Sequence, residues 1–511
     1  MLLRYKILIG AVIVVVLVAI GVTLGIVLTG DEELIYNDIC KTSNSSRRAK
    51  NLLESDSVPF FLEKMRKGPP DLTINQNTRA TPIYGWITQR VDHFNPNDLR
   101  TWEMRYLKND EFYENGAPIF IFLGGEWEIG PSYLMTGQLY DMAREHKGYM
   151  FYTEHRYYGE SFPTSNLCTK SMQYLNIDQA LADVVYFIKH QKIEIPSLKD
   201  SKVVLVGCSY SATMATWMRI KYPHMIDAAF ASSAPLLAIE DFYQYYDVVG
   251  NSIKLISPEC ANVLSEAMGE IVSTLSSNNN DGLNTISNDF RSCSPLNLAE
   301  PYRSYFFSGL ISPFASLVQY AQSSSIQAVC NSILSNPGSS YEKFKQYFNS
   351  YYAGSCIGNY DGFIDYLDYP LPNGDYRQWM YQTCAEYGFY QTTSSNNTIF
   401  GKNTVIVDLY RKMCEDVYGI TPEMLNSGIE RTNFFYGGLK PSYTKVVSVH
   451  GTIDPWSSIG LTEDLNDDAP VFVVEGTSHC ADISSESVYD IAQMRETKRK
   501  VKELIAKWIT D

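Results

Sequence analysis

Short runs of consecutive apolar residues, separated by helical patterns, mark the centre of the predicted fold. Residues 118–123, 149–153 and 203–206 are almost wholly apolar, as expected for strands buried on both faces of a parallel sheet. Residues 133–146 and 177–192 lie between them and have helical patterns. This alternation of strands and helices predicts a doubly wound, mostly parallel α/β core.

Four further strands and a closing helix extend this core. Residues 85–91 and 101–107 alternate apolar and polar positions, which predicts a hairpin at the edge of the sheet. Residues 446–449 and 471–474 predict two short strands late in the chain, and residues 487–510 predict a final helix.

The segment 240–405 differs from its flanks, because Tyr, Ser and Asn become frequent and the apolar runs shorten. We predict that it forms a mainly helical cap inserted into the core, which would then consist of residues 81–239 and 406–511. Helices are expected at 260–275 and at 314–334, the second beginning just after Pro313.

Residues 7–30 are apolar and long enough to cross a bilayer. Arg4 and Lys6 precede the run, and acidic residues 31–33 follow it. Basic residues favour the cytosolic side, so the pattern predicts a transmembrane signal-anchor with residues 1–6 in the cytosol. The protein would be a single-pass type II membrane protein, anchored through this N-terminal helix.

A long cleavable signal peptide is the alternative interpretation of the apolar run, and it would give a secreted protein. Either way, the rest of the chain faces an extracellular or luminal, oxidising space. Residues 31–80 have no regular alternation and are predicted to be a stem. Two Asn-X-Ser/Thr triplets, at Asn44 and Asn396, are candidate glycosylation sites on that side of the membrane.

Composition narrows the function classes. The chain of 511 residues is 45% hydrophobic and 19% charged, which is typical of a globular protein. A net charge of −15 argues against a nucleic-acid partner, since such proteins need a basic face. Ten cysteines without a C-x-x-C pair favour scattered disulfides over a zinc cluster. No metal site and no cofactor are predicted.

The strand at 203–206 leads into a candidate nucleophile elbow. Gly207-Cys208-Ser209-Tyr210-Ser211 follows it directly, and residues 213–221 have a helical pattern. A sharp strand–turn–helix unit exposes a serine oxygen above the sheet edge. The backbone N–H of Tyr210 can then face a developing oxyanion. The alternative is an ordinary turn that happens to contain serines.

Three residues of matching chemistry each follow a predicted strand: Ser209, Asp454 and His479. Chemistry in open α/β sheets lies beyond the carboxyl ends of the strands, and the chain order Ser, Asp, His is that of α/β-hydrolases. An imidazole can take the hydroxyl proton and return it to the leaving group. A carboxylate orients that imidazole. We therefore predict Ser209, Asp454 and His479 as the catalytic residues.

Structural roles remain open for several of these residues. Asp454 precedes a proline and could be a turn residue, and His479 could be a packed turn histidine. His450 also ends a strand and is a rival base. Gly125 follows the strand at 118–123 and is the second candidate oxyanion donor, unless its loop is an ordinary glycine turn. The positions of the remaining histidines, on predicted edge strands, helices or early loops, favour structural roles for them: His93, His146, His155, His190 and His224.

Several motifs together resemble the serine carboxypeptidase S28 family. They lie at residues 91–94, 105–107, 154–161, 207–224, 231–235, 381–388 and 454–456. The resemblance extends from about residue 83 to the C-terminus. Within the family, the tripeptide Ser478-His479-Cys480 makes the chain resemble most the branch that contains the thymus-specific serine protease.

The resemblance implies an α/β-hydrolase core with a helical cap, peptide substrates, and cleavage often directed to bonds after proline. It also implies Ser209, Asp454 and His479 as the triad. The chain departs from the family elbow, because Cys208 and Ala212 replace glycines. We interpret Cys208 as a packed residue rather than a second nucleophile. Trp127 stands where the family continues with glycine, and it is expected to narrow the site.

The resulting hypothesis is a membrane-anchored serine exopeptidase that works through an acyl-enzyme and favours bonds after proline. The alternative is a weakly active or inactive hydrolase-like ectodomain that serves as a binding or adhesion module. A lipid or ester hydrolase would share the core but not the family motifs. The oligomeric state is left open, with a homodimer as one option.

Overall fold

A computed structural model describes residue 72 and residues 81–277, 279–320, 322–370 and 375–510. The predicted anchor at 7–30, almost all of the predicted stem and the sequon at Asn44 lie outside these residues. Among the described helices, none combines the length and the apolar character that a bilayer crossing requires.

The apolar runs form the centre of an eight-stranded sheet. Its spatial order is β1-β2-β4-β3-β5-β6-β9-β10. The strands are β1 Ile83–Arg90, β2 Thr101–Asn109, β3 Ile119–Leu123, β4 Tyr149–Thr153, β5 Val203–Cys208, β6 Ala228–Ser232, β9 Val446–Gly451 and β10 Val471–Val474. The pairs β1–β2 and β2–β4 are antiparallel and the other pairs are parallel, which confirms the α/β-hydrolase fold and the edge hairpin.

Helices cover both faces of this sheet, which explains why the central strands are apolar throughout. In β3, Ile119, Ile121 and Leu123 pack into one core cluster, whereas Phe120 and Phe122 pack into the cluster on the opposite face. Alternate side chains of a strand point to opposite faces, so each strand contributes to two cores. The helices of the core are Gln138–His146, Thr169–Met172, Ile177–Glu194, Tyr210–Lys221 and Ala492–Thr510.

A helical region lies between β6 and β9. Its helices are Gln244–Ile256, Pro258–Ser276, Asn280–Asp289, Tyr302–Tyr320, Ser323–Ser335, Ser340–Tyr352, Tyr360–Leu367, Tyr376–Gln382, Val407–Tyr418 and Pro422–Tyr436. A small parallel pair, β7 Ile239–Asp241 and β8 Gly388–Tyr390, joins the start of this region to the segment before its last two helices. The domain boundary at 405/406 stays a prediction, although helices continue to Tyr436.

Three disulfides lie within this helical region. They link Cys260 with Cys330, Cys293 with Cys356, and Cys384 with Cys414. The expectation of scattered disulfides is therefore confirmed for this part of the chain.

The prediction of a helix that starts after Pro313 was wrong. Pro313 instead lies inside the helix Tyr302–Tyr320, and a second helix, Ser323–Ser335, follows. The neighbours Leu310, Ile311 and Phe314 are almost completely buried. Burial of these side chains offsets the hydrogen bond that proline removes from the helix, an effect that local sequence does not reveal.

Two other expected helices begin later than their patterns suggested. The helix expected from residue 133 divides into a 3-10 turn, Pro131–Leu134, and the helix Gln138–His146, with Gly137 at φ 96° between them. The last helix starts at Ala492 rather than at residue 487, because the side chain of Asp490 accepts the N–H of Ser487 in a preceding turn.

Candidate active site

Ser209 occupies the sharp turn between β5 and the helix Tyr210–Lys221. Its backbone has φ 59° and ψ −132°, a conformation that costs energy for a residue with a side chain. The first N–H groups of the helix lie directly after it, without intrahelical partners of their own. The strained strand–turn–helix unit is the geometry of a nucleophile elbow.

The small residues on either side of Ser209 allow the turn to close. A Cβ atom at Gly207 would lie 2.3 Å from the backbone oxygen of Ser211, so a side chain there is excluded. The hydroxyl of Ser211 accepts the N–H of Cys208 at 3.0 Å and donates to its carbonyl at 2.9 Å. Serine therefore replaces the usual glycine at 211 while its side chain bonds within the elbow.

His479 and Asp454 form a buried hydrogen-bonded pair. Nδ1 of His479 lies 2.9 Å from both carboxylate oxygens of Asp454, and Asp454 also accepts the N–H of Trp456 at 3.0 Å. Nδ1 must carry the proton to donate to the carboxylate, so the lone pair is on Nε2. Nε2 is buried and has no hydrogen-bond partner among the described residues.

A disulfide joins the two halves of the candidate triad. Cys208, which precedes Ser209, is bonded to Cys480, which follows His479, with a Cα–Cα distance of 5.9 Å. Cys208 is buried, as expected, but it is not a free thiol, so it cannot be a second nucleophile. The two sulfur atoms and His479 lie within 4.8 Å of one another. The disulfide leaves no thiolate there for a metal ion.

Ser209 lies in a cavity between the core and the helical region. The cavity measures about 620 Å³ with its opening to solvent included. Its lining residues are Glu126, Ser209, Tyr210, Pro235, Gln319, Tyr320, Asp375, Tyr376, Trp379 and Trp456. A second, mostly aromatic cavity adjoins it and shares the last two tryptophans, Gln319, Tyr320 and Tyr376.

The imidazole of His479 packs beside two rings of this lining. The ring centroids of Tyr320 and Trp456 lie 6.1 Å and 6.3 Å from that of His479. His479 therefore lies beside two residues that line the same cavity as Ser209.

Trp127 does not narrow this site, so that expectation was wrong. Trp127 is 5% exposed and lines neither cavity. Its indole N–H donates to the hydroxyl of Tyr152 at 2.7 Å, and its ring lies against the backbone of Gly125. The side chain is part of the core beneath the glycine loop. The role of Gly125 as an oxyanion donor stays a prediction.

The side chain of Tyr210 is fixed by a buried network. Its hydroxyl bonds with Nε2 of His155 at 3.1 Å and accepts from Gln382 and Tyr387 at 3.0 Å and 3.3 Å. Burial lowers the pKa of His155 to about 4, and its Nδ1 donates to the carbonyl of Arg156. His155 is therefore neutral and structural, as predicted, and it orients the residue after the nucleophile.

Glu126 is a carboxyl group of the cavity that the sequence did not single out. Its Oε2 is buried without a hydrogen-bond partner. Burial raises the pKa of Glu126 to about 7, and a hydrogen bond with the residue's own backbone N–H partly opposes this shift. Gln319, Tyr320 and Tyr376 were also missed, because their positions depend on how the helical region packs.

His450, the rival base, lies inside the protein. It is 1% exposed, and both ring nitrogens lack hydrogen-bond partners among the described residues. Burial lowers the pKa of His450 to about 4, so it is neutral. His93 bonds with Asp183 at 2.7 Å, away from the cavity. Asn396, the described candidate glycosylation site, is exposed.

Comparison with known proteins agrees with this geometry. The family described as serine carboxypeptidase S28 matches residues 89–501, which is most of the chain. The chain belongs to this family. Membership makes the S28 protein a serine-type peptidase with peptide substrates.

Relatives of this S28 protein match along most of their length. The thymus-specific serine protease of Mus musculus is 30% identical over 465 residues, which are 86% of this chain and 90% of that protein. The lysosomal Pro-X carboxypeptidase of Homo sapiens is 28% identical over 446 residues, 83% of this chain and 88% of that protein. A proline iminopeptidase structure from Mycobacterium smegmatis has a TM-score of only 0.33, at 10% identity, with 83% of this chain and 99% of that chain covered.

Proposed function

We propose that this S28 protein is a membrane-anchored serine exopeptidase in which Ser209, His479 and Asp454 act as the triad. The observation that carries the proposal is the buried His479–Asp454 pair, whose Nδ1–carboxylate distances are 2.9 Å. This pair leaves the lone pair of Nε2 free to accept a proton. Ser209 is the proposed proton donor, because the Cys208–Cys480 bond joins its chain neighbour to that of His479.

The proposed reaction follows from these positions. Nε2 of His479 takes the hydroxyl proton as Ser209 attacks the peptide carbonyl, and Asp454 stabilises the imidazolium. The N–H groups of Tyr210 and Gly125 are the proposed donors to the oxyanion. The imidazolium gives its proton to the leaving amine, which leaves an acyl-enzyme. Water, deprotonated by the same imidazole, then releases the acyl group and restores Ser209.

The cavity supports cleavage near a chain end and a preference for proline. Gln319, Tyr320, Tyr376 and Trp379 of the helical region cover the cavity that contains Ser209, and such a cover favours chain termini over folded loops. Aromatic walls suit the rigid ring of proline, which loses little entropy on binding. A relative named for Pro-X carboxypeptidase activity points the same way.

The location is proposed from the sequence and the disulfides. Residues 7–30 would anchor the chain with its bulk outside the cytosol. Four disulfides join described cysteines, and disulfides persist in oxidising compartments such as the extracellular space or a secretory lumen. Protease protection on sealed vesicles, followed by alkaline extraction, would distinguish this anchor from a cleaved signal peptide.

Labelling with a fluorophosphonate probe tests the triad. The full-length protein should react covalently at Ser209, as identified by peptide mass spectrometry, and Ser209→Ala should not react. A folded wild-type protein that resists the probe would overturn the proposal and favour the binding-module alternative.

Peptide cleavage tests the specificity. Short peptides with proline second from either end should be cleaved faster than peptides with alanine or leucine at that position, and faster than a long unstructured chain. If cleavage is fastest inside the long chain, with no advantage for proline or for chain ends, both the exopeptidase assignment and the proline preference are contradicted.

A further inference from the structure

We propose that the Cys208–Cys480 disulfide is a positioning element that holds His479 against Ser209 during catalysis. The inference rests on the proposed triad. Each cysteine is the chain neighbour of a triad residue, Cys208 of Ser209 and Cys480 of His479. The two reacting side chains are therefore connected through one disulfide and a single peptide link on each side.

On the nucleophile side, the disulfide is attached to the buried end of the strand that leads into the elbow. Cys208 is the last residue of β5 and is 0% exposed. Its N–H and carbonyl both bond to the hydroxyl of Ser211. The disulfide therefore links the loop that carries His479 and Cys480 covalently to β5, the strand that sets the position of Ser209.

The loop that carries His479, here called the histidine loop, also makes hydrogen bonds, but these bonds go to the helical region and to the residue after β6. The N–H of His479 and the hydroxyl of Ser478 donate to the carbonyl of Gln319, at 3.2 Å and 2.7 Å. Gln319 belongs to the helix Tyr302–Tyr320 of the helical region. The N–H of Cys480 donates to the hydroxyl of Ser233 at 2.9 Å, just after β6.

These hydrogen bonds tie the histidine loop to the cap and to the neighbouring strand. The disulfide ties it covalently to the nucleophile strand. If a substrate shifts the cap, the carbonyl of Gln319 moves with it. The covalent bond would then keep the position of His479 relative to Ser209 unchanged. Catalysis is sensitive to displacements of about 1 Å, which can cost about 10²-fold in rate.

Cys480 also has a backbone suited to this role. Its φ is 55°, an unusual conformation for a residue other than glycine. The left-handed turn directs the chain sharply after His479, and the Cys480 side chain lies 5% exposed against β5 and β6.

The experiment compares two variants of the full-length protein that each lose one disulfide. C208A/C480A removes the proposed positioning element. C293A/C356A removes a disulfide of the helical region and is the matched control. For each, circular dichroism and thermal unfolding establish that the protein is folded, and the second-order rate of fluorophosphonate labelling, kcat and KM are measured well below the melting temperature.

C208A/C480A should lower kcat and the labelling rate by about 10- to 100-fold, with KM changed less than about twofold. C293A/C356A should lower the melting temperature but leave kcat and the labelling rate within about twofold of the wild type. A folded C208A/C480A that labels at the wild-type rate would overturn the inference while leaving the triad intact. An unreactive wild-type protein would overturn the triad itself.

If C208A/C480A does not fold, partial reduction of the wild-type protein decides the question. A phosphine with water converts one disulfide to two thiols and is itself oxidised to the phosphine oxide. Differential alkylation and mass spectrometry then give the reduced fraction of each disulfide in a half-inactivated sample. The labelling rate should fall in proportion to reduction of Cys208–Cys480. Loss of labelling that follows a disulfide of the helical region, or full labelling with Cys208–Cys480 reduced, would contradict the inference.

Discussion

Asp454 and His479 face each other across 2.9 Å, with Nδ1 of the imidazole equidistant from the two oxygens of a carboxylate that is 0% exposed. The geometry fixes the tautomer, because only a protonated Nδ1 can donate to the carboxylate.

Replacement of the carboxylate by an amide should be severe for catalysis. Asp454→Asn can present its NH2 group to Nδ1, which favours the wrong tautomer and removes the charge that stabilises imidazolium. A loss of about 10⁴-fold in kcat is expected, with the protein still folded. Steady-state kinetics and circular dichroism check this, with Asp490→Asn, which lies on a separate turn near the C-terminal helix, as control. Near-normal turnover in Asp454→Asn would contradict the assignment of Asp454.

The elbow should not tolerate a methyl group at position 207. Gly207→Ala would place Cβ 2.3 Å from the backbone oxygen of Ser211, so the turn must open. The fluorophosphonate labelling rate should fall at least about 10²-fold. The control is Gly269→Ala in the helix Pro258–Ser276, where no atom lies within 4 Å of the added methyl. It should stabilise the protein by about 0.5–1 kcal/mol. Equal labelling of the two variants would refute the close packing at 207.

Replacement of Trp127 and of Trp379 by phenylalanine should have different effects. Trp127→Phe removes the buried hydrogen bond from the indole N–H to the hydroxyl of Tyr152, at a cost of about 1 kcal/mol, with little change in KM. Trp379→Phe alters a wall of both cavities and should raise KM with little change in the free energy of unfolding. Denaturant unfolding and steady-state kinetics separate the two. A raised KM in Trp127→Phe would restore the idea that this residue narrows the site.

The buried carboxyl of Glu126 should make stability depend on pH. Burial raises the pKa of Glu126 from 4.5 to about 7, so the folded protein holds a proton that the unfolded chain releases above pH 4.5. The stability due to the neutral carboxyl is complete below pH 4.5 and is lost as pH rises through 7. Glu126→Gln should be close to wild type at pH 4.5 and more stable by about 3 kcal/mol at pH 8.

Thermal unfolding at several pH values measures this difference, with the exposed Glu145→Gln as control. The melting temperature of Glu126→Gln relative to wild type should rise between pH 4.5 and 8, whereas that of Glu145→Gln should not. A constant difference for Glu126→Gln would mean that this carboxyl is ionised throughout.

Local sequence determined the core of this protein. Strands such as β3 and β5 are buried on both faces, and a continuous apolar run of that length is compatible with few other structures. The candidate triad could also be predicted, because residues at the carboxyl ends of parallel strands converge on one edge of the sheet. Hence Asp454 and His479, which are 25 residues apart, are expected from the sequence to meet.

The tertiary structure alone decided what surrounds those residues. Pro313 continues a helix because buried neighbours compensate for it, and Trp127 turns into the core because Tyr152 offers a partner for its N–H. The bond between Cys208 and Cys480, 272 residues apart, depends on β5 and the histidine loop ending side by side. Pairing at such separations is set by packing of the whole chain rather than by local propensity, so neither composition nor periodicity could reveal it.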